Sequence, residues 1–230
     1  MLAVLFVEIR KLNRSLALLL AVAAPTLIAI FVFFNMLRGN TPQPWEMWTG
    51  MAVVVWAFFM LPMSVTALTA LVAHMEHGPR AWDHLRALPS PRWRLYAAKA
   101  ICVVGVLALM SALTLALTWG AAATGEPELA LQALLLGKIL LAGLLMIAIQ
   151  LWTALRFASF VPGLALGIGG TFFAVVATSA KQGVFLPWQM PVNMVAREAW
   201  RSDTALALGC GLGLVVMAAA VAHLARREIL

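Results

Sequence analysis

Ser15-Leu16-Ala17-Leu18-Leu19-Leu20-Ala21-Val22-Ala23-Ala24-Pro25-Thr26-Leu27-Ile28-Ala29-Ile30-Phe31-Val32-Phe33-Phe34-Asn35 contains no charged residue from end to end, and its only polar side chains are Ser15, Thr26 and Asn35. A helix needs about 20 mostly apolar residues to cross the ~30 Å hydrocarbon of a bilayer. This run supplies them. Five further stretches do the same, at about 48–74, 97–120, 131–153, 160–180 and 204–224. None alternates with the two-residue period of a membrane barrel strand. The carboxylates Glu8, Glu46, Glu76, Asp83, Glu126, Glu128, Glu198, Asp203 and Glu228 all lie between or beyond the six runs. Composition agrees: of 230 residues 63% are hydrophobic and 11% charged, with a mean hydropathy of +0.96, against about 25% charged in soluble domains. The expected fold is an all-α membrane protein, one transmembrane domain over residues 1–230, with six transmembrane helices. A soluble enzyme or nucleic-acid module is excluded despite the net charge of +7. Cys102 and Cys210 sit inside apolar runs and indicate neither a disulfide framework nor a metal site.

Basic residues give the expected orientation. Arg10, Lys11, Arg14, Arg80, Arg86, Arg92, Arg94, Lys99, Arg156, Arg226 and Arg227 fall in one set of loops and termini. Arg38, Lys138, Lys181, Arg197 and Arg201 fall on the other side. Both termini are therefore expected in the cytoplasm, in a multi-pass membrane protein. Ala21-Val22-Ala23 resembles a signal cleavage site, but too few apolar residues separate it from Arg14, so the run reads as an uncleaved span. Residues 1–14 place Leu2, Leu5, Phe6, Ile9 and Leu12 at helical spacing against Glu8, Arg10, Lys11 and Arg14. That pattern predicts an N-terminal interfacial helix or an extension of the first span.

Several chemistries lack their residues. No run holds Asp or Glu, the groups that mark proton and sodium pathways. His74-Met75-Glu76-His77 has neither the spacing nor the setting of H-E-x-x-H, and no G-x-x-x-x-G-K-[ST] exists to cradle a nucleotide. If ATP drives this protein, the ATPase is another chain.

The most informative loop runs from Glu76 to Lys99. Gly78 ends the second span, and Pro79 suits the first position of a new helix. Ala81, Trp82, Leu85 and Leu88 fall on one face, with Arg80, Asp83, His84 and Arg86 spread over the other. Pro89 stops the helix, and Ser90-Pro91 restarts the chain as the third span. A short helix at about 79–88, pinned by prolines, suits the transfer of mechanical force. An interfacial loop with Trp82 and Trp93 as headgroup anchors fits the same residues.

Glu76, Gly78, Trp82, Leu85, Leu88-Pro89, Arg92 and Tyr96-Ala97-Ala98-Lys99, together with Phe185-Leu186-Pro187-Trp188-Gln189-Met190-Pro191, resemble the motifs of ABC type-2 transporter permeases. The branch resembled is that of lantibiotic-immunity and bacitracin-resistance permeases. The topology covers the whole chain and the motifs about 30 residues; Pro79-Arg80 between the Gly and the Trp departs from the pattern. The resemblance implies that 79–88 is a short cytoplasmic coupling helix docking on a separate cytoplasmic ABC ATPase. Glu76, Arg80, Trp82, Asp83, His84, Leu85 and Leu88 are its candidate docking residues. It further implies a second permease copy or a sister permease as partner, and a place in the bacterial cytoplasmic (inner) membrane. No cofactor would be bound by this chain, with ATP and magnesium residing on the partner ATPase.

Gly163-x-x-x-Gly167 and Gly209-x-x-x-Gly213 permit close helix approach, within one subunit or, for Gly163 and Gly167, across the dimer interface that the resemblance implies. Pro25 and Pro62 permit kinks in the first and second spans. Thr66, Thr69, Ser111, Thr114, Gln150, Thr153 and Thr171 either line a conduit or bond back to their own helices. Val192, Val195, Ala196, Ala199 and Trp200 predict an outer helix resting on the bilayer, with Trp188 and Trp200 as anchors and a lid role also open. The expected function is the permease subunit of an ATP-driven exporter of hydrophobic or amphipathic cargo, a peptide antibiotic or a lipid-like molecule, without covalent chemistry of its own. The alternatives are a non-transporting membrane scaffold or sensor, and a membrane enzyme acting on lipids.

Overall fold

The computed structural model describes residues 1–13, 15–38, 45–77, 91–121, 129–196 and 198–226. Among them the chain is helical throughout, without a strand. The helices are α1 (Leu2–Asn13), α2 (Ala17–Arg38), α3 (Trp45–Val55), α4 (Leu61–His77), α5 (Arg92–Ala121), α6 (Leu129–Ala142), α7 (Leu144–Arg156), α8 (Val161–Val176), α9 (Met190–Asn193) and α10 (Ala199–Arg226). In lipid every backbone N–H and C=O must be satisfied within the protein, and a helix does this alone.

Four helical stretches are long and apolar enough to cross a membrane: Ala17–Arg38, Met47–Glu76, Arg92–Trp119 and Ala199–Arg226. A fifth arises if α6 and α7, bent by 44° at Gly143, count as one span. The remaining expected span, at 160–180, is α8, whose 16 residues cover only about 24 Å at 1.5 Å per residue. The chain then tightens into a 3-10 turn, Ala177–Ser179. Six apolar runs are thus four or five spanning helices by length, and the shortfall lies in α8.

Met47–Glu76 is continuous through a π-turn, Trp56–Met60. Pro62 has no N–H to give to the carbonyl four residues back, and the preceding turn widens so that the Leu61 N–H reaches the Trp56 carbonyl instead. At Gly143 a Cβ would lie 3.5 Å from a Leu61 methyl, so the break in α6–α7 faces the end of this π-turn.

α7 is the centre of the molecule: Leu144 to Ala148 and Gln150, Leu151, Thr153, Ala154 and Leu155 are all buried. α10 packs along it most extensively, α4 and α8 flank it, and α2 packs on α5. The outer surface is apolar, with Leu19, Leu27, Ile30, Phe33, Phe172, Phe173, Leu214 and Val215 exposed. Exposed apolar surface of this extent marks a face that meets lipid or another protein.

Two local expectations are corrected. The segment after α8 does not rest on the bilayer: Val184, Trp188, Gln189, Met190, Val192, Asn193 and Met194 are buried, and α9 packs on α6, α10 and the π-turn. Trp188 is seated on Gly170, where a Cβ would come within 2.6 Å of the indole. Trp200 alone stays exposed as an anchor would. The second correction concerns which face of α1 turns inward; of the two readings of residues 1–14, the structure has the separate helix and not the extension of α2. Ser15 Oγ donates to the Leu12 carbonyl at 2.8 Å and accepts from the Ala17 N–H at 3.1 Å, closing one helix and capping the next. α1 also turns Glu8 and Leu12 inward while Phe6, Val7 and Ile9 are exposed, so its polar residues are not all on the outer face.

Candidate functional site

α1, α4 and α5 meet where the chain carries its densest basic sequence, and four charges pair there. Lys99 Nζ donates to Glu8 Oε2 and to Glu76 Oε1, each at 2.6 Å. Lys11 Nζ donates to Glu8 Oε1 at 3.0 Å and to Glu76 Oε1 at 2.9 Å. Lys99 and Glu76 have no exposed surface, Glu8 has 3%, and only the Lys11 side chain is partly exposed, at 33%. The formal charges cancel. Glu76 Oε2 has no hydrogen-bond partner among the described residues.

Each helix contributes for a local reason. Glu8 and Lys11 are three residues apart on α1, on one face, and Leu12 one turn beyond Glu8 is buried with it. Glu76 sits in the last turn of α4, and Lys99 two turns into α5, between the buried Ala98 and Ala100. Burial pushes the Lys11 ammonium down, but hydrogen bonds and charge from Glu76 and Glu8 outweigh it and hold the group above its usual 10.5. A buried pair returns little net stability relative to an apolar one, yet removing one member leaves an uncompensated charge. The cluster therefore acts as a lock: the three helices move together, or the charges separate at high cost.

A second polar seam runs between α4, α7 and α8. Gln150 Nε2 donates to the Gly163 carbonyl at 2.6 Å, and Gln150 Oε1 is buried without a partner among the described residues. A Cβ on Gly167 would strike Thr66 and lie 2.7 Å from Gln150 Nε2. A crevice of about 40 Å³ opens beside it, lined by Thr66, Thr69, His74, Ala154, Phe160 and Gly163 among others. The hydroxyls of Thr66, Thr69, Ser111, Thr114, Thr153 and Thr171 each donate to a carbonyl one turn back on their own helix, at 2.7 to 3.0 Å. Back-bonding is thus the role seen for these six hydroxyls, while Thr66 and Thr69 also border the crevice.

Of the expected docking residues, Glu76 belongs to the ion cluster and its side chain is interior. Arg80, Trp82, Asp83, His84, Leu85 and Leu88, with the helix expected at 79–88, lie outside the described residues. All four glycines of the two G-x-x-x-G motifs pack within the chain. Gly163 lies against Ala154 and Gly167 against Thr66 and Gln150. A Cβ at Gly209 would press on the Ala142 backbone, and one at Gly213 would come within 2.6 Å of the Leu145 N. Sequence reading missed Glu8, Lys11 and Lys99 as a network, having counted Lys99 with the basic loop although it falls inside the run 97–120. The signal was in the motifs: Glu76 and Lys99 are the acidic residue and the Tyr-x-x-Lys lysine of the quoted pattern, 23 residues apart in sequence and in contact in the fold. Among the described residues no group of His, Cys, Asp or Glu is arranged to hold a metal ion.

A family model described as ABC-2 family transporter protein matches residues 4–178, which include all four members of the cluster and end beyond α8. Among curated proteins and among solved structures, none matches.

Proposed function

Since the chain belongs to the ABC-2 transporter family, we propose that it is the permease subunit of an ATP-driven exporter that moves a hydrophobic or amphipathic cargo outward. The observation that carries this reading is the ion cluster. Its two motif residues flank the segment 78–90, Glu76 just before it and Lys99 two turns into the helix that follows, and are tied to each other and to α1. A push on that segment enters α4 and α5 together rather than bending one against the other. α4 carries the motion to α7 and α8, and α7 to α10. The partner is a cytoplasmic ABC ATPase that holds ATP and magnesium; a second copy or a sister permease completes the transporter. The work is mechanical, and this chain makes and breaks no covalent bond.

The membrane placement proposed with it has six crossings, with α8 and the turn after it as the fifth, and both termini in the cytoplasm of a bacterium. The quoted motifs favour the lantibiotic-immunity and bacitracin-resistance branch, hence a membrane-active peptide or a lipid-like cargo. The middle of each spanning helix lacks a carboxylate, so energy from ATP rather than a proton gradient fits the chain. Leu85→Asp places a charge in the expected apolar contact, where an unpaired buried charge is costly, and should abolish retention of the ATPase on the affinity-tagged permease while membrane insertion persists. Retention at the wild-type level would overturn docking through this segment. In vesicles holding both subunits, export should stop with a non-hydrolysable nucleotide and persist when the proton gradient is collapsed.

A further inference from the structure

A groove of about 310 Å³ runs between α1, the first turns of α2, and α5, next to the ion cluster. Leu5, Ile9 and Leu12 line it from α1, and Gly105, Val106 and Leu109 from α5. From residue 101 to 109 the α5 wall is about 12 Å long at 1.5 Å per residue, most of the ~15 Å hydrocarbon depth of one leaflet. Its one polar side chain is Asn13, at the rim. Gly105 leaves the space open: nothing lies within 4 Å of the position its Cβ would take. Arg10 follows the groove-lining Ile9 but lies on the adjoining face of α1, exposed, where it lines a further hollow of about 200 Å³ with Phe6, Val7 and Lys11.

An apolar slot whose wall helix carries an exposed arginine on its adjoining face fits one kind of occupant. We propose that the groove holds an acyl chain of an anionic phospholipid from the cytoplasmic leaflet, its phosphate headgroup held at the Arg10 end of α1. This rests on the membrane placement proposed above. An apolar side chain from the bilayer fills such a space at no cost in hydrogen bonds, and basic residues near a surface favour anionic lipid. A second copy of the chain suits the slot less well, because a two-fold contact along α1 brings the two exposed Arg10 side chains toward each other. Cargo is also a poorer fit, since the groove lies on the outside of the bundle and apart from the seam between α4, α7 and α8. The lipid would wedge α1 against α5 and so load the helix that carries Glu8 and Lys11. Lipid composition thereby becomes a control on the lock.

The test uses the full-length chain in phosphatidylcholine vesicles doped with a phosphatidylglycerol that carries a photoactivatable diazirine in its acyl chain. Labelled peptides are then mapped by mass spectrometry. Labelling should concentrate on residues 101–109 and on α1, and should fall several-fold in Gly105→Leu, which fills open space. If that variant does not fold, Gly105→Val serves as a smaller plug. The same diazirine chain on phosphatidylcholine should label less, and Arg10→Gln should lower the preference for phosphatidylglycerol about fivefold, the value of about one basic residue near a charged surface. Equal labelling of wild type and the plugged variant, or equal labelling by the two headgroups, overturns the proposal. So does efficient cross-linking between chains of an Ile101→Cys variant, at the exposed edge of the groove, when the groove takes no lipid label, which assigns the slot to a second copy. Because this readout needs neither ATPase nor transport, its failure leaves the permease reading standing, and failure of ATPase docking leaves the groove standing.

Discussion

The end of the bundle where α1, α4 and α5 meet and the middle where α6, α8 and α10 pack around α7 are both tightly closed, by opposite means. At the first, four charged side chains fill the space between helices and hold them by directed bonds of 2.6 to 3.0 Å. At the second, side chains are removed: Gly209 and Gly213 let the backbone of α10 approach that of Ala142 and Leu145. An ionic joint resists separation steeply but tolerates a change of shape around it, because its members are the ends of long side chains. A glycine joint has no slack and breaks if anything is added. The first kind suits a place that receives force and the second a place that transmits it without loss.

The sharpest way to break the comparison is to unbalance the charges. Lys99→Ala leaves Glu8 and Glu76 facing each other in a dry interior with only the partly exposed Lys11 between them. The expected loss is about 3–5 kcal/mol, read as a fall in the midpoint of thermal or denaturant unfolding of the purified protein. Lys99→Met combined with Glu8→Gln and Glu76→Gln should recover most of it, since a neutral replacement of a buried cluster is often tolerated. A loss under about 1 kcal/mol for the single variant, the range of exposed pairs, would show that the cluster is not buried as described.

The glycine joint comes next. Gly209→Leu drives a side chain into the Ala142 backbone and should cost about 1–3 kcal/mol, as overpacking does. Gly211→Leu is its control, because nothing lies within 4 Å of that position. Equal unfolding midpoints for the two variants would remove the argument that α10 is seated through its glycines.

The contrast between the regions also governs how much could be read from the sequence. Apolar runs and glycine spacing gave the helical class, five of the six helical stretches at spanning length once α6 and α7 are joined, and the close-packing role of Gly209 and Gly213. These are properties of residues near one another in the chain. The partners are not, and that is where reading stopped. Glu8 looked like a member of a solvated polar face because an isolated amphipathic helix shows only its own two sides. It turns inward because Lys99, 91 residues away, offers it a charge. Trp188 and the residues after it carried helical spacing and aromatic residues, the marks of a surface anchor. Gly170, lacking a side chain, makes the seat that draws the indole inside. The candidate site was half legible: Glu76 and Lys99 were singled out as motif residues, and only the fold joins them.

Within the middle region, Gly167→Ala tests a softer contact than Gly209→Leu. The added methyl meets the Thr66 and Gln150 side chains rather than backbone, and these can give by rotating. The expected cost is about 1 kcal/mol, and Thr66→Ala should restore most of it by vacating the same space. If Thr66→Ala adds to the loss instead of relieving it, α8 is not packed against α4 through this pair.

The smallest effect expected is at Lys11, the one member of the cluster that water reaches. Its pKa lies above the ordinary 10.5 because Glu76 and Glu8 together outweigh the effect of burial. A lysine whose folded value is raised contributes stability that is fully present below its unfolded value and is lost as pH rises through the folded one. The difference in unfolding free energy between wild type and Lys11→Gln should therefore be small and constant through the neutral range, and should shrink only when pH passes 10.5 and then the raised value. Solvent screening at a side chain one-third exposed keeps the difference well below that for Lys99→Ala. A difference that already changes between neutral pH and pH 9, where Lys11 is fully charged, would mean that its partners and not its own ammonium set the pH response. Lys11 would then be a bystander at the rim of a three-membered lock.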